Sequence, residues 1–468
     1  MASLILWYLV VIILGWLTFP IAFRLFTGLS DRGFAFAKAM GLLLWGFIFW
    51  LLACLHVLGN NIVSIVASMA ILTGLSFLQM RKGWWKPTWT WVRDNKKIII
   101  TVEIIFLSLF LLWTVVRAAN PDINGTEKPM ELAFINAISH SPSFPPNDPW
   151  LSGYSISYYY FGYVMISMLI RLTGVSAGVG YNLAGALWFA LTGIGAYGIL
   201  FNLIRMYRKK DAIQVQRRTG FLGGLLGPFF ILIVSNLEGF LDFIHKLGWF
   251  WTINPDGTAT SKFWSWLGIL DLNSPATQTG LQAPFRYMWW WRASRIITQY
   301  DLAGNWKEII DEFPFFSYLL ADLHPHVLAM PFVLLAISLG LNFFIQWKEE
   351  SFKRFRLWNW AKKWDFWLVA LVFGGLAFLN TWDFLFYIAL LSAVFFYCRY
   401  RLLHSLWSGV WDFIRLAVTL VVAGVLLYAP FFISLQSQAK GPTPSMNYFS
   451  RGVQFWVMFA PLLLPIFA

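Results

Sequence analysis

Residues 98–118 read Ile98-Ile-Ile-Thr-Val-Glu103-Ile-Ile-Phe-Leu-Ser-Leu-Phe110-Leu-Leu-Trp113-Thr-Val-Val-Arg117-Ala118, and Ala119-Asn-Pro-Asp122-Ile-Asn-Gly-Thr126-Glu127 follows directly. An apolar run of this length matches a hydrocarbon core of about 30 Å, which a helix crosses in roughly 20 residues. The polar, acid-bearing segment after it reads as a loop at the membrane surface. Similar apolar runs recur along the 468 residues, which are 59% hydrophobic and 12% charged. A soluble chain is about half apolar and a quarter charged. The chain is therefore expected to be an all-α polytopic membrane protein. About eleven spans are placed at 3–26, 38–58, 61–80, 98–118, 179–204, 220–243, 318–346, 365–381, 383–398, 413–435 and 452–468. The first run lacks a basic segment before it and a small-residue cleavage site after it, and is taken as a retained span. Many of the 28 Trp flank these runs, as interfacial residues do. Ala468 ends the chain inside an apolar run, as in a fragment of a longer protein.

The formal net charge of +13 would suggest nucleic acid in a soluble chain. Here 24 of the 35 Lys and Arg fall in five segments between spans, around Arg24–Lys38, Arg81–Lys97, Arg205–Arg218, Lys348–Lys363 and Arg399–Arg415. They read as an orientation signal, and no nucleic-acid partner is expected. Placing all five in the cytoplasm puts the N-terminus outside. Residues 156–172 test that scheme, because a crossing there would turn 205–218 outward. They are read as a short helix, 158–172, lying on or dipping into the outer interface. Two long segments, 119–178 and 245–317, then face outward. Residues 1–97 hold three spans and a basic cytoplasmic loop, and 98–468 form the core. Cys54 and Cys398 lie within apolar runs, so no disulfide framework is indicated.

The candidate chemistry sits in the outward segments. Thr126 is a plausible N-cap for a helix with Pro129 in its first turn, and Glu127 lies at its positive end. Such a carboxylate can accept a proton from an incoming hydroxyl or can simply favour the helix start. Ser143-Phe-Pro-Pro-Asn-Asp148-Pro-Trp-Leu-Ser-Gly153 is a rigid, turn-rich path that presents Asp148 to water or a ligand. Tyr158-Tyr159-Tyr160 can stack on a sugar or a prenyl chain, or anchor the interface. In Asp311-Glu312-Phe-Pro-Phe-Phe-Ser317-Tyr-Leu-Leu-Ala-Asp322-Leu-His324-Pro-His326, the last acid and two histidines suit a divalent metal (Mg or Mn), a phosphate or sugar contact, or structural bonding. Asp383 closes a polar turn, Asn380-Thr-Trp-Asp383. Arg292 and Arg295 follow Trp289-Trp-Trp291, where they suit a lipid phosphate or an interfacial anchor. No Walker loop, G-x-S-x-G or dinucleotide fingerprint occurs.

The strings Glu127-Lys-Pro-Met-Glu-Leu-Ala-Phe, Phe144-Pro-Pro-Asn-Asp-Pro-Trp-Leu-Ser-Gly, Tyr158-Tyr-Tyr-Phe-Gly and Asp322-Leu-His-Pro-His resemble the YYY membrane protein family (DUF2298-like) of Chloroflexi and archaea. That family resembles in turn the GT-C superfamily of membrane glycosyltransferases, whose members take sugars from polyprenyl-phosphate carriers outside the cytoplasm. The resemblance implies a GT-C-like bundle: a first core span at 98–118, juxtamembrane helices at 131–140 and 158–172, and a span at 179–204. It makes Glu127 the favoured catalytic base, with Asp122 as its rival. Asp148, Tyr158, Tyr159, Arg292, Arg295, Glu312, Asp322, His324, His326 and Asp383 become substrate-binding candidates. The partners implied are the bilayer, a lipid-linked sugar donor and a glycan, lipid or protein acceptor, in the plasma membrane of a bacterium or archaeon. Inverting hexosyl transfer is the activity implied. Three spans precede the core, Thr126-Glu127 stands where the superfamily has Asp-Glu, and no D-x-D occurs in the second loop. A lipid or glycan transporter and a non-catalytic scaffold are the alternatives.

Overall fold

A computed structural model describes residues 2–81, 83–210, 218–300, 303–346, 356–436 and 450–467. Lys82, Arg217, Lys348, Lys353 and Arg354 of the expected basic turns lie outside the described residues. The chain divides into two compact units, Met1–Pro228 with Ala321–Ser437, and Phe229–Leu320 with Gln438–Ala468.

The first unit is helical. In order it carries α1 (Ala2–Leu25), α2 (Ala37–Cys54), α3 (Ile62–Met80), α4 (Trp85–Asp94), α5 (Lys96–Ala119), α6 (Lys128–His140), α7 (Phe161–Thr173), α8 (Ala177–Lys210) and α9 (Arg218–Gly224). Helix α10 (Leu226–Leu232) follows. The second unit contributes α11 (Glu238–Lys246), α12 (Lys262–Leu267), α13 (Trp289–Arg292) and α14 (Pro314–Leu320). The first unit resumes with α15 (Pro325–Gln346), α16 (Leu357–Ala361), α17 (Trp364–Leu379), α18 (Thr381–Leu403), α19 (Leu406–Leu427) and α20 (Ala429–Ser434), and α21 (Gly452–Phe467) closes the described chain. Among the described residues, eight helices are long and apolar enough to cross a membrane: α1, Phe34–Cys54, α3, α5, Ala177–Tyr207 in α8, α15, α18 and α19. Shorter apolar helices lie at Phe161–Thr173, Gly220–Leu232, Trp364–Leu379 and Gly452–Ile466. The chain is an all-α polytopic membrane protein.

Three expected elements take a different form. The run 220–243 is not one span: it divides into α9, α10 and α11. Paired glycines at 223–224 and Gly227-Pro228 interrupt it, and Pro228 lacks the N–H that would continue the helix. Glu238 therefore starts a short helix instead of lying mid-span. The run 318–346 is not one helix: its first residues end α14 at Leu320, and α15 begins at Pro325. Ala321 adopts φ 66°, in the left-handed region, and a residue before proline is pushed out of the helical region, which keeps His324 outside α15. Third, 158–172 forms α7, and of the two expected placements it does not lie on a surface: Phe161 to Ile170 are all buried. At 1.5 Å per residue its 13 residues span about 20 Å, too short to cross.

Packing explains this burial. A Cβ on Gly162 would lie 2.4 Å from the Leu328 side chain, so only glycine lets α7 approach α15 so closely. Phe161 stacks on Phe378 with centroids 4.9 Å apart, and Phe378 stacks on Phe431 at 4.1 Å. Trp113 of α5 lies on Phe189 of α8 at 3.9 Å. These contacts hold α5, α7, α8, α15 and α17 as a frame for the loop ends.

The second unit has its own core, built on Trp264, Leu272, Ile296 and Phe316. It carries two short antiparallel hairpins. In one, β1 (Thr252–Ile253) meets β2 (Ala259–Thr260), with Thr252 opposite Thr260. In the other, β3 (Thr298–Tyr300) meets β4 (Trp306–Glu308), with Thr298 opposite Glu308.

Candidate functional site

The loop after α5 turns back through Gly125 and Thr126, both left-handed at φ 69° and 49°, and enters α6. Thr126 is not the cap that the sequence suggests. Glu127 occupies the N-cap position, and its side chain makes no capping bond. The Thr126 hydroxyl instead donates to Asp322 Oδ1 at 2.7 Å. The freed Glu127 carboxylate meets His324: Oε2 lies 2.6 Å from Nε2, with the side chains 49% and 32% exposed. A half-exposed acid–imidazole pair at the positive end of α6 can orient and exchange a proton with a molecule from outside.

One turn further, Glu131 is fully buried. Its Oε2 accepts from the Tyr181 hydroxyl at 2.5 Å and from the Leu323 N–H at 2.7 Å, and its Oε1 is buried with no hydrogen-bond partner among the described residues. Burial, added to by the charge of Asp322 and opposed by the Tyr181 bond, raises this carboxyl to about 8. Tyr181 also donates toward the Ala321 carbonyl at 3.2 Å. Glu131 thus ties α6 and α8 to the 321–324 break, which carries Asp322 and His324.

Cations are fewer here. Arg117 is buried at the end of α5; its Nε donates to Asn182 Oδ1 at 2.9 Å, and its Nη2 has no hydrogen-bond partner among the described residues. Lys128 is lowered by burial, against the opposing pull of Asp322, Glu131 and Asp122. Tyr158 packs against Phe134 at 5.6 Å. Burial raises its hydroxyl, and the charges of Glu127 and Glu131 raise it further. Tyr159 adjoins Tyr158 at 5.4 Å. Tyr160 belongs to the core, where its hydroxyl accepts from Trp50 at 3.3 Å. His326 lies with its ring 5.2 Å from His324 and within electrostatic range of Asp383, whose Oδ2 accepts from Asn380 at 3.0 Å.

Glu127, Asp322, His324, His326, Asp383, Tyr158, Tyr159 and the exposed Asp122 therefore belong to one unit around the α6 entrance and the start of α15. Asp148 is in the same unit, but its Oδ1 accepts from the Trp150 and Leu151 N–H groups, both at 2.8 Å, and closes its own turn. Arg292, Arg295 and Glu312 belong to the second unit. There Arg292 pairs with Asp271 at 2.8 Å and Glu308 at 3.6 Å. Arg295 lies over the Trp291 ring at 4.4 Å, and Glu312 accepts from Ser317 at 2.8 Å. Among the described residues, no group of three or more His, Cys, Asp or Glu is arranged to hold a metal ion. Of the three expected ligands, His324 meets Glu127 and Asp322 accepts from Thr126.

Sequence reasoning missed Glu131, Tyr181, Arg117 and Lys128. The available signal was the Glu127–Glu131 spacing of four, which puts both acids on one helix face.

Apolar helices long enough to cross a membrane, with polar and titratable groups gathered where several of them end, define a multi-pass membrane protein with a candidate site at that end. The chain belongs to the uncharacterized membrane protein family DUF2298, whose profile matches residues 44–468. No curated protein matches it, and no solved structure does.

Proposed function

We propose that this protein is a GT-C-like glycosyltransferase of the plasma membrane of a bacterium or archaeon, working on the non-cytoplasmic face with its N-terminus outside. The observation that carries the reading is the Glu127–His324 pair at 2.6 Å, half-exposed and released from capping duty. The order α5, acid loop, α6, α7, α8 supports it, since it follows the GT-C pattern of a span, a loop opening with an acid, two juxtamembrane helices and a span. An acceptor hydroxyl gives its proton to the Glu127 carboxylate, and its oxygen forms a bond to the anomeric carbon of a lipid-linked sugar. The bond from that carbon to the lipid phosphate breaks, and the phosphate leaves with the electron pair. Displacement in one step inverts the anomeric carbon. His324 orients Glu127, and Arg117 and Lys128 supply positive charge for the leaving phosphate.

The test is Glu127→Gln in proteoliposomes supplied with a polyprenyl-phosphate sugar, with transfer to acceptor read by mass spectrometry. Loss of about 10²–10⁴-fold is expected with the fold retained. Full activity in that variant removes Glu127 as the base.

A second reading, a lipid or glycan transporter, draws on the pair Lys38–Glu103, closed at 2.7 Å within spans α2 and α5. Movement of labelled lipid across the same liposomes without transfer would favour it.

A further inference from the structure

The first unit holds a cavity of about 620 Å³, apart from the Glu127–His324 pair, where α18 ends and α19 begins. Arg356, Arg399, Arg415 and Asp412 line it, a net charge of two positive. Asp412 is committed to Arg399, whose Nε lies 2.7 Å from its Oδ2. Among the described residues, the guanidinium groups of Arg356 and Arg415 make no ion pair or hydrogen bond. Leaving two arginines unanswered beside a low-dielectric wall creates a site for a phosphate anion.

The apolar lining says what else the anion carries. Ile414 and Val418 line the cavity and begin a row along α19: Ile414, Val418, Val422 and Leu426 are 41%, 55%, 52% and 63% exposed. A spacing of four puts them on one face, so an apolar ridge leads away from the charged mouth toward the middle of the span. Trp358, which also lines the cavity, is 79% exposed, and Trp407 and Trp411 of α19 are exposed at the same end. Exposed tryptophans mark the headgroup level of a bilayer. A free phosphate or a nucleotide has no use for the ridge; a lipid does.

We propose that this cavity binds the phosphate headgroup of an anionic bilayer phospholipid between Arg356 and Arg415, with an acyl chain laid along Ile414, Val418, Val422 and Leu426. The site is independent of the transferase reading and retains its lipid whether or not the protein transfers sugar.

The experiment uses the purified full chain in detergent, titrated with phosphatidylglycerol or with phosphatidylcholine of the same acyl chains, and reads adducts by native mass spectrometry. The wild type is expected to hold phosphatidylglycerol more tightly. Arg356→Gln with Arg415→Gln should weaken it by roughly thirtyfold, the scale for removing two basic residues near an anionic headgroup, and leave phosphatidylcholine binding unchanged. Arg81→Gln with Arg93→Gln, outside the cavity, should change neither. Equal wild-type affinity for the two lipids overturns the proposal without reference to any variant, as does an unchanged preference in the double variant. Displacement of phosphatidylglycerol by equimolar inorganic phosphate would assign the site to a free anion instead. Recovery of a polyprenyl phosphate in place of a glycerophospholipid in the protein as purified would overturn the assigned occupant.

Discussion

In the second unit, arginines and acids answer one another. Arg286 reaches Glu238 at 2.7 Å, Asp271 at 3.4 Å and Asp242 more closely still, and Arg292 bridges Asp271 and Glu308. At the entrance to α6, the nearest partners of the acids are a hydroxyl, a phenol, an imidazole and a backbone amide. Glu238 and Glu131 are both fully buried. The guanidinium beside Glu238 opposes burial and leaves it at about 7, whereas Glu131, held by a phenol and an amide, reaches about 8. The difference separates two uses of charge. A network of ion pairs holds its unit together; at the α6 entrance buried Glu131 keeps its own proton, and the half-exposed Glu127 is the carboxylate left for something that arrives.

The contrast can be broken most forcefully in the second unit. Arg286→Met strands Glu238 and Asp242 as buried acids, and unfolding measured by denaturant should lose about 3–5 kcal/mol. A loss under 1 kcal/mol would mean that the network does not support its unit.

Next in size is the pH response of the first unit. Glu131 is raised in the folded protein from 4.5 to about 8. The folded state therefore keeps a proton that the unfolded chain gives up, so its contribution to stability is complete below about pH 4.5 and is lost as pH rises toward 8. Thermal midpoints should fall across that window in the wild type and flatten there in Glu131→Gln. An unchanged slope in the variant would assign the fall to another group.

The smallest effect is expected at Asp148. An asparagine keeps the Oδ1 that accepts the Trp150 and Leu151 N–H groups, so Asp148→Asn should alter stability by about 0.5 kcal/mol or less and leave transfer unchanged. A large loss of transfer with stability intact would move Asp148 from turn residue to ligand.

Much of the frame was legible in the sequence, because length and hydropathy set it. The order α5 to α8 falls where apolar runs and the Thr126–Pro129 signal place it, and α7 is close to the expected 158–172. Its environment was not legible, since the same apolar residues serve a buried helix and an interfacial one, and the helices that bury it, α1, α2, α3, α6 and α8, meet it only in the fold. The breaks in 220–243 and 318–346 were underread, although Gly227-Pro228 and Pro325 announced them. Glu131 was legible only as a second acid four residues after Glu127. Its burial comes from Tyr181 and Leu323, 50 and 192 residues away along the chain, and no local pattern carries that. Arg292 and Arg295 were legible as residues, but their acidic partners come together only through the fold of the second unit.

The proposal stands on one sidedness: the α6 entrance and the basic turns must lie across the membrane from each other. In a chain with Cys54 and Cys398 replaced by serine, Asn124→Cys and Lys86→Cys each place one thiol at an exposed position. A membrane-impermeant maleimide applied to intact cells should label the first, and should label the second only after permeabilisation. Labelling of both from the same compartment would contradict the account.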